Sequence, residues 1–185
     1  MVSFLMEQKD ITIRALDSGE WETFRDLRLH ALKTEPGVFF SHYADEVQHP
    51  PERWKDWLSQ DRKCVFGLFD GKSLVGITGV FTARHDPSGR TAVLGASYLL
   101  PQYRGQGYSR LLYRARLDWV RAQKQFQKVV VSHRDTNEAS RRANQAFGFR
   151  RTHAETITWP DGTSGEEICY ELDADSLRKG PSLTP

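Results

Sequence analysis

Residues 99–109 read Leu99-Leu100-Pro101-Gln102-Tyr103-Arg104-Gly105-Gln106-Gly107-Tyr108-Ser109. A β-rich run stops at the proline, passes two glycines and enters a stretch of helical period. Leu111, Leu112, Ala115 and Trp119 fall on one face, so the spacing predicts an amphipathic helix over about 107–124. At its entrance Gly105 and Gly107 remove side chains where backbone N–H groups must approach an anion. The unpaired N–H groups and the positive end of the helix dipole face the same point. Arg104 adds a formal charge that can engage phosphate directly. The turn is therefore a place to hold a pyrophosphate, although a G-x-G between polar residues also serves as an ordinary tight turn.

Working outward, residues 91–100 form the strand that feeds this turn, and 128–132, Lys128-Val129-Val130-Val131-Ser132, form the strand after the helix. A second helix is expected over about 137–147, stopped by Gly148-Phe149. Strand, helix, strand, helix in this order implies a parallel crossover within a sheet. Upstream the pattern differs. Ile11-Thr12-Ile13-Arg14-Ala15-Leu16 alternates as a first strand, and Asp17 or Ser18 caps a helix carrying Trp21, Phe24, Leu27, Leu29 and Leu32. Pro36-Gly37 ends it. Residues 38–51 mix aromatics with His42, Asp45, Glu46 and His49, and Pro51 opens a short helix with Trp54, Trp57 and Leu58. Long aromatic connections of this kind often line a binding site. Two β-rich runs, 63–70 and 73–84, flank the hairpin signal Asp70-Gly71-Lys72, and 84–89 is a second turn. Two last strands, 150–159 and 166–172, flank Pro160-Asp161-Gly162. Residues from 173 onward read as frayed.

With 185 residues, 38% hydrophobic and 27% charged, the chain has the length and apolar content of one domain. Lys and Arg number 26 against 24 Asp and Glu, a net charge of +2 that is too even to argue for a nucleic-acid or anionic-membrane surface. Arg110, Arg114, Arg116, Arg121 and Lys124 read instead as the solvated face of the amphipathic helix. Cys64 and Cys169 form neither a disulfide framework nor a metal spacing, and no metal is expected. No secretory signal or membrane span is legible, so the expected setting is a reducing cytoplasm with two buried free thiols.

A second motif joins the first. One strand after the glycine turn come Asn137-Glu138-Ala139-Ser140 and Ala143-Asn144-Gln145-Ala146-Phe147-Gly148-Phe149, which taken alone read as a helix cap and a helix stop. Together the two motifs resemble the GNAT superfamily of acyl-CoA-dependent N-acetyltransferases. The family's Q/R-x-x-G-x-G/A is matched by Gln102 to Gly107, and its N-x-x-A…G-F helix by Asn137, Ser140 and Gly148-Phe149. The resemblance implies an α/β (mixed α+β) fold. Its central sheet is mixed, mostly antiparallel, with about seven strands flanked by about four helices, in the order β-α-α-β-β-β-α-β-α-β-β. It implies a single domain over 10–173, an N-terminal extension at 1–9 and a flexible tail at 174–185. The cosubstrate would be acetyl-CoA. Leu99 and Leu100 would supply backbone hydrogen bonds to pantetheine, and Arg104, Gly105, Gln106, Gly107, Tyr108 and Ser109 would wrap the pyrophosphate. Asn137, Ser140 and Asn144 would lie near the pantetheine arm. No third glycine or acidic ribose partner follows, which disfavours NAD.

The resemblance also implies chemistry. The family's reaction is transfer of an acetyl group to a primary amine by direct attack on the thioester, with a backbone N–H near Leu99 as oxyanion donor. Two positions depart from the pattern: Ser140 stands where alanine is usual, and Asn144 where many relatives carry a tyrosine that protonates the departing thiolate. Asparagine has no proton to give near neutral pH. A thiol with a pKa of about 8.5 leaves readily without that help. An amine with a pKa of about 10 needs a base, and the candidates are Glu46 and His133. Glu46, with a raised pKa, would also attract an ammonium group, in an acceptor site between residues 42–46 and 159–162. Tyr98, Trp54 and Trp57 read as packed aromatics. The alternative function is a non-catalytic acyl-CoA sensor or interaction module. Many relatives are dimers, so a homodimer is in view, with no interface legible.

Overall fold

A computed structural model describes residues 10–180; the expected extension at 1–9 and tail residues 181–185 lie outside the described residues. β1 (Ile11–Ala15) leads through a single 3-10 turn to α1 (Trp21–Thr34), followed by α2 (Tyr43–Glu46) and α3 (Pro51–Trp57). Then come β2 (Cys64–Asp70), β3 (Ser73–Thr82), β4 (Thr91–Leu99), α4 (Tyr108–Ala122), β5 (Lys128–Arg134), α5 (Glu138–Ala146), β6 (Arg150–Thr158), β7 (Ser164–Asp173) and α6 (Ala174–Lys179). The strands form one seven-stranded sheet in the order β1-β2-β3-β4-β5-β7-β6. Only β4 and β5 run parallel. The expected fold and element order hold, with the two shortest helices, α2 and α6, added.

Local chemistry explains these elements. Asp17 closes a capping box with Glu20, whose carboxylate also holds Arg14. Pro51 begins α3, where its missing N–H costs nothing. β2 alternates between two layers. Cys64, Phe66 and Leu68 pack with residues of α4, while Val65 and Phe69 pack with Phe24 and Leu27 of α1 and Trp54 of α3. The sheet is thus covered on both faces, by α1 and α3 on one and α4 on the other.

Two irregularities in β4 open the centre of the sheet. Its parallel pairing with β5 covers only Thr91–Val93 opposite Lys128–Val130, after which the strands separate. Against β3 its register slips, Gly79 facing Gly95 but Ile77 facing Tyr98, so β4 carries an extra residue there. Ala96 takes up the slack in the left-handed region at φ 54°, the mark of a β-bulge. Thr78 and Ser97 hydroxyls tie the bulge together at 2.6 Å.

Two expectations are corrected. Residues 174–179 are not frayed: Ala174 and Leu177 are buried in the main core, and Arg178 donates to the carbonyls of Gln123 and Phe126 at 2.9 and 2.7 Å. A short amphipathic turn after polar residues gives too little periodicity to be seen without its docking site. Cys64 is buried, but Cys169 is only partly so; burial pushes both thiols up to about 11. Because α6 is a working part of the core, Leu177→Ala should lower stability by about 2 kcal/mol, read as a shifted urea midpoint with unchanged slope. An unaltered midpoint would show that α6 does not dock.

Candidate active site

The gap between β4 and β5 opens into a cavity of about 640 Å³, lined by both strands beyond their pairing, by the glycine turn, and by α1, α4 and α5. It joins the α4 face of the sheet to the α1 and α3 face. A groove can cross a sheet only where strands part, because a paired strand would close it.

At the outer end lie Gly105, Gly107, Tyr108 and Ser109. Gly107 caps α4 at φ 83°, and Gly105 has φ 70°; both need the freedom of glycine, and a Cβ on either would meet nothing within 4 Å. The first N–H groups of α4, which no helical carbonyl can satisfy, open onto this space. Arg104 lines it too, but its side chain is committed: Nε donates to the carbonyl of Leu99 at 2.9 Å, and the guanidinium pairs with Glu35. Gln106 is turned back onto the carbonyl of Gln102 and is not among the lining residues.

The strand end separates two neighbours that the sequence treated alike. Leu100 donates its N–H to Val75 and accepts from the N–H of Tyr103, so its backbone is spent and it does not line the cavity. Antiparallel pairs alternate. With Leu100 bonded to β3, the N–H of Leu99 is turned toward the gap on the β5 side.

On α5, Asn137 caps the helix by accepting from the N–H of Ser140 at 3.0 Å, and both residues line the cavity. Asn144 does not. It is fully buried, and its Oδ1 accepts from the Tyr113 hydroxyl at 2.6 Å. Tyr113 stands between Asn144 and the cavity, stacked on Phe147 with ring centres 4.8 Å apart. Burial raises the Tyr113 pKa, opposed by the nearby charge of Arg116. Arg116 is itself 2% exposed, not on the solvated face expected for it. It donates to Leu112, lies over the Tyr113 ring and lines the cavity.

The two candidate bases part company. Glu46 is buried and receives two bonds from Arg28, at 2.9 and 2.7 Å, and it does not line the cavity. Burial alone would raise its pKa, but the hydrogen bonds and charge of Arg28, with the Ser41 hydroxyl, outweigh this and hold the carboxyl below its ordinary value. This is the opposite of the expected shift, because the sequence could not show that a guanidinium from α1 would meet it. His133 is buried inside β5, stacked on Tyr170 at 5.4 Å, and lines the cavity. Its Nδ1 lies 2.7 Å from the carbonyl of Arg134. A carbonyl only accepts, so Nδ1 carries a hydrogen and, in the neutral ring, Nε2 holds the lone pair; Nε2 has no hydrogen-bond partner.

The turn at 159–162 meets residues 37–40, not the expected 42–46: Phe40 stacks on Trp159 at 5.0 Å, and Arg134 bonds both Gly37 and Asp161. The wall is made by residues 38–41, and Trp159 is packed behind it. Tyr98 and Trp57, read as packing only, also face the cavity. Tyr113, Arg28 and Arg116 went unread as site residues. A buried arginine gives no sign in sequence beyond its falling on the apolar face of a helix, as Arg116 does beside Leu112 and Leu117.

Comparison with known proteins agrees with this geometry. No curated protein matches the sequence. Among solved structures, the ribosomal-protein-S5-alanine acetyltransferase of Vibrio fischeri superposes with a TM-score of 0.74 at 18% identity, covering 98% of this chain and 100% of its own. A Salmonella typhimurium protein solved with its cofactor acetyl-CoA gives 0.74 at 18% identity over 90% and 95% of the two chains. Spermidine N-acetyltransferase of Vibrio cholerae, in complex with CoA and spermine, gives 0.71 at 17% over 90% and 97%. Such identities speak for the fold. The profile of the acetyltransferase (GNAT) family matches residues 21–149, and with both motifs placed on the parted strands, the chain belongs to that family of acyltransferases.

Proposed function

We propose that this protein transfers the acetyl group of acetyl-CoA to a primary amine by direct attack on the thioester, within one domain that begins near residue 10 and is closed by α6. The observation that carries the reading is the cavity itself, which links the Gly107 turn to the unpartnered Nε2 of His133 through parted strands. The pyrophosphate sits at the first turn of α4, held by backbone N–H groups. Pantetheine then runs between β4 and β5, past Ser140 and Tyr113.

His133 takes the proton of the incoming ammonium at Nε2 and frees the nitrogen lone pair. As the C–N bond forms, the N–H of Leu99 meets the charge developing on the carbonyl oxygen. The C–S bond then breaks, CoA leaves as a thiolate, and the second proton of the attacking nitrogen passes to that thiolate or to solvent, giving the neutral amide and CoA thiol. Asn144 holds the Tyr113 hydroxyl and takes no proton. A sensor would have no use for an unspent lone pair at that depth, which favours the enzyme.

Gly107→Ala should strain the turn and crowd the phosphate, weakening acetyl-CoA binding about tenfold by calorimetry. Gly71→Ala, equally left-handed at φ 57° but in the β2–β3 hairpin, should not, and equal effects would refute the placement. Replacing His133 by Ala should cut kcat/KM about a hundredfold or more and remove the acidic limb of its pH profile; a retained limb would assign the base elsewhere. Glu46→Gln, by contrast, should keep that limb and lose stability, about 3 kcal/mol, by leaving Arg28 buried and unpaired. The wild-type advantage is full above the ordinary carboxylate pKa and fades as pH falls through the depressed pKa of Glu46. A pH-independent difference in urea midpoints would contradict that assignment.

A further inference from the structure

The charges around the cavity are of one sign. Among the described residues, no aspartate or glutamate lines it, while Arg28, Arg104 and Arg116 do. Arg104 is answered by Glu35 at the outer end. Acetyl-CoA carries its charges on the pyrophosphate and nucleotide, and its pantetheine arm and thioester are neutral. The cosubstrate therefore brings no anion to the inner arginines, of which Arg28 is paired with Glu46 and keeps one nitrogen without an acceptor.

Arg28 is the most specific of these. It is 3% exposed, lies between the rings of Phe39 and Trp57 at 4.9 and 5.5 Å, and is fixed by Glu46 through Nε and Nη2. Its Nη1 has no hydrogen-bond partner. A buried guanidinium nitrogen left without an acceptor is costly unless a ligand supplies one. Glu46 takes the Nε and Nη2 side of the guanidinium and so pre-orders the Nη1 end, which is left to donate to a second carboxylate. Arg116 adds a second buried cation, held by the carbonyl of Leu112 and lying over the Tyr113 ring, and among the described residues it has no carboxylate partner.

We infer that the acceptor is a small amine that also bears a carboxylate, an amino acid in the broad sense, with its acid group read by Arg28 and its apolar body against Phe39, Trp57 and Phe81. This rests on the acetyl-transfer reading for the identity of the reacting group. A polyamine, with several positive charges and no anion, is the wrong complement to this wall, even though one fold neighbour was solved with spermine. Binding of the acid group near α1 leaves the amine free to face His133 across the cavity.

The test pairs amines that differ by the acid alone: phenylalanine with phenethylamine, and 6-aminohexanoate with pentylamine, with spermidine as the cationic control. Release of CoA is followed with acetyl-CoA as donor, and each rate is referred to the free-base fraction of its amine. In at least one pair the acid-bearing member should have a kcat/KM higher by about tenfold or more, and spermidine should be the poorest. Arg28→Lys, which keeps a charge beside Glu46 but loses the fork, should bring that ratio toward one. Equal or better turnover of the acid-free members in both pairs overturns the acceptor class while leaving acetyl transfer intact. If no amine releases CoA, acetyl transfer fails, and the acceptor class is then decided by calorimetric binding of the same pairs to the CoA-loaded protein. Tighter binding of an acid-bearing member, lost in Arg28→Lys, supports it, and no preference overturns it.

Discussion

The parting of β4 from β5 is the constraint on which the rest of the molecule depends. Parallel pairing ends at Val93 and Val130, and beyond these residues the two strands no longer bond each other. The bulge at Ala96 fixes the divergence by taking one residue out of register with β3. It also sets the phase of everything downstream: with Leu100 bonded to β3, Leu99 must offer its N–H to the gap. A sheet with such an opening is stable only if both faces are covered elsewhere, and α1, α3 and α4 do this.

Polar groups inside the protein divide into those that are spent and those that are not. Glu46 and Arg28 largely consume each other, as do Asn144 and Tyr113, and each pair supports the wall from behind. Among the described side chains that line the cavity, the buried polar atoms without a partner are Nε2 of His133 and Nη1 of Arg28, while Asn144 keeps an unpartnered Nδ2 behind the wall. A buried carboxylate with two good hydrogen bonds is a poor proton acceptor, because its charged form is already the favoured one. A histidine whose other nitrogen is anchored to a carbonyl is held as the tautomer that accepts. The same accounting separates Glu46, tied up by Arg28, from His133, whose Nε2 has no partner, although both looked alike as isolated titratable residues.

Local sequence determined a good deal. The glycine turn, the helix after it, the hairpin at Gly71 and the crossover strands were all legible, since each rests on neighbours within a few positions: glycine where φ is positive, apolar residues at a period of 3.6, alternation in strands. The second motif, around Asn137, was legible for the same reason, as a cap and a stop. α2 and α6 were not, being single turns stabilised by what they dock against. Tertiary structure alone decided which groups meet across the fold: that Arg28, 18 positions from Glu46, would neutralise it, that Tyr113 would cover Asn144, that Arg116 would turn inward, and that Leu99 rather than Leu100 would face the gap. The physical reason is that periodicity and turn chemistry are set by the chain next door, whereas burial, ion pairing and the direction of an unpaired N–H are set by elements far away in sequence.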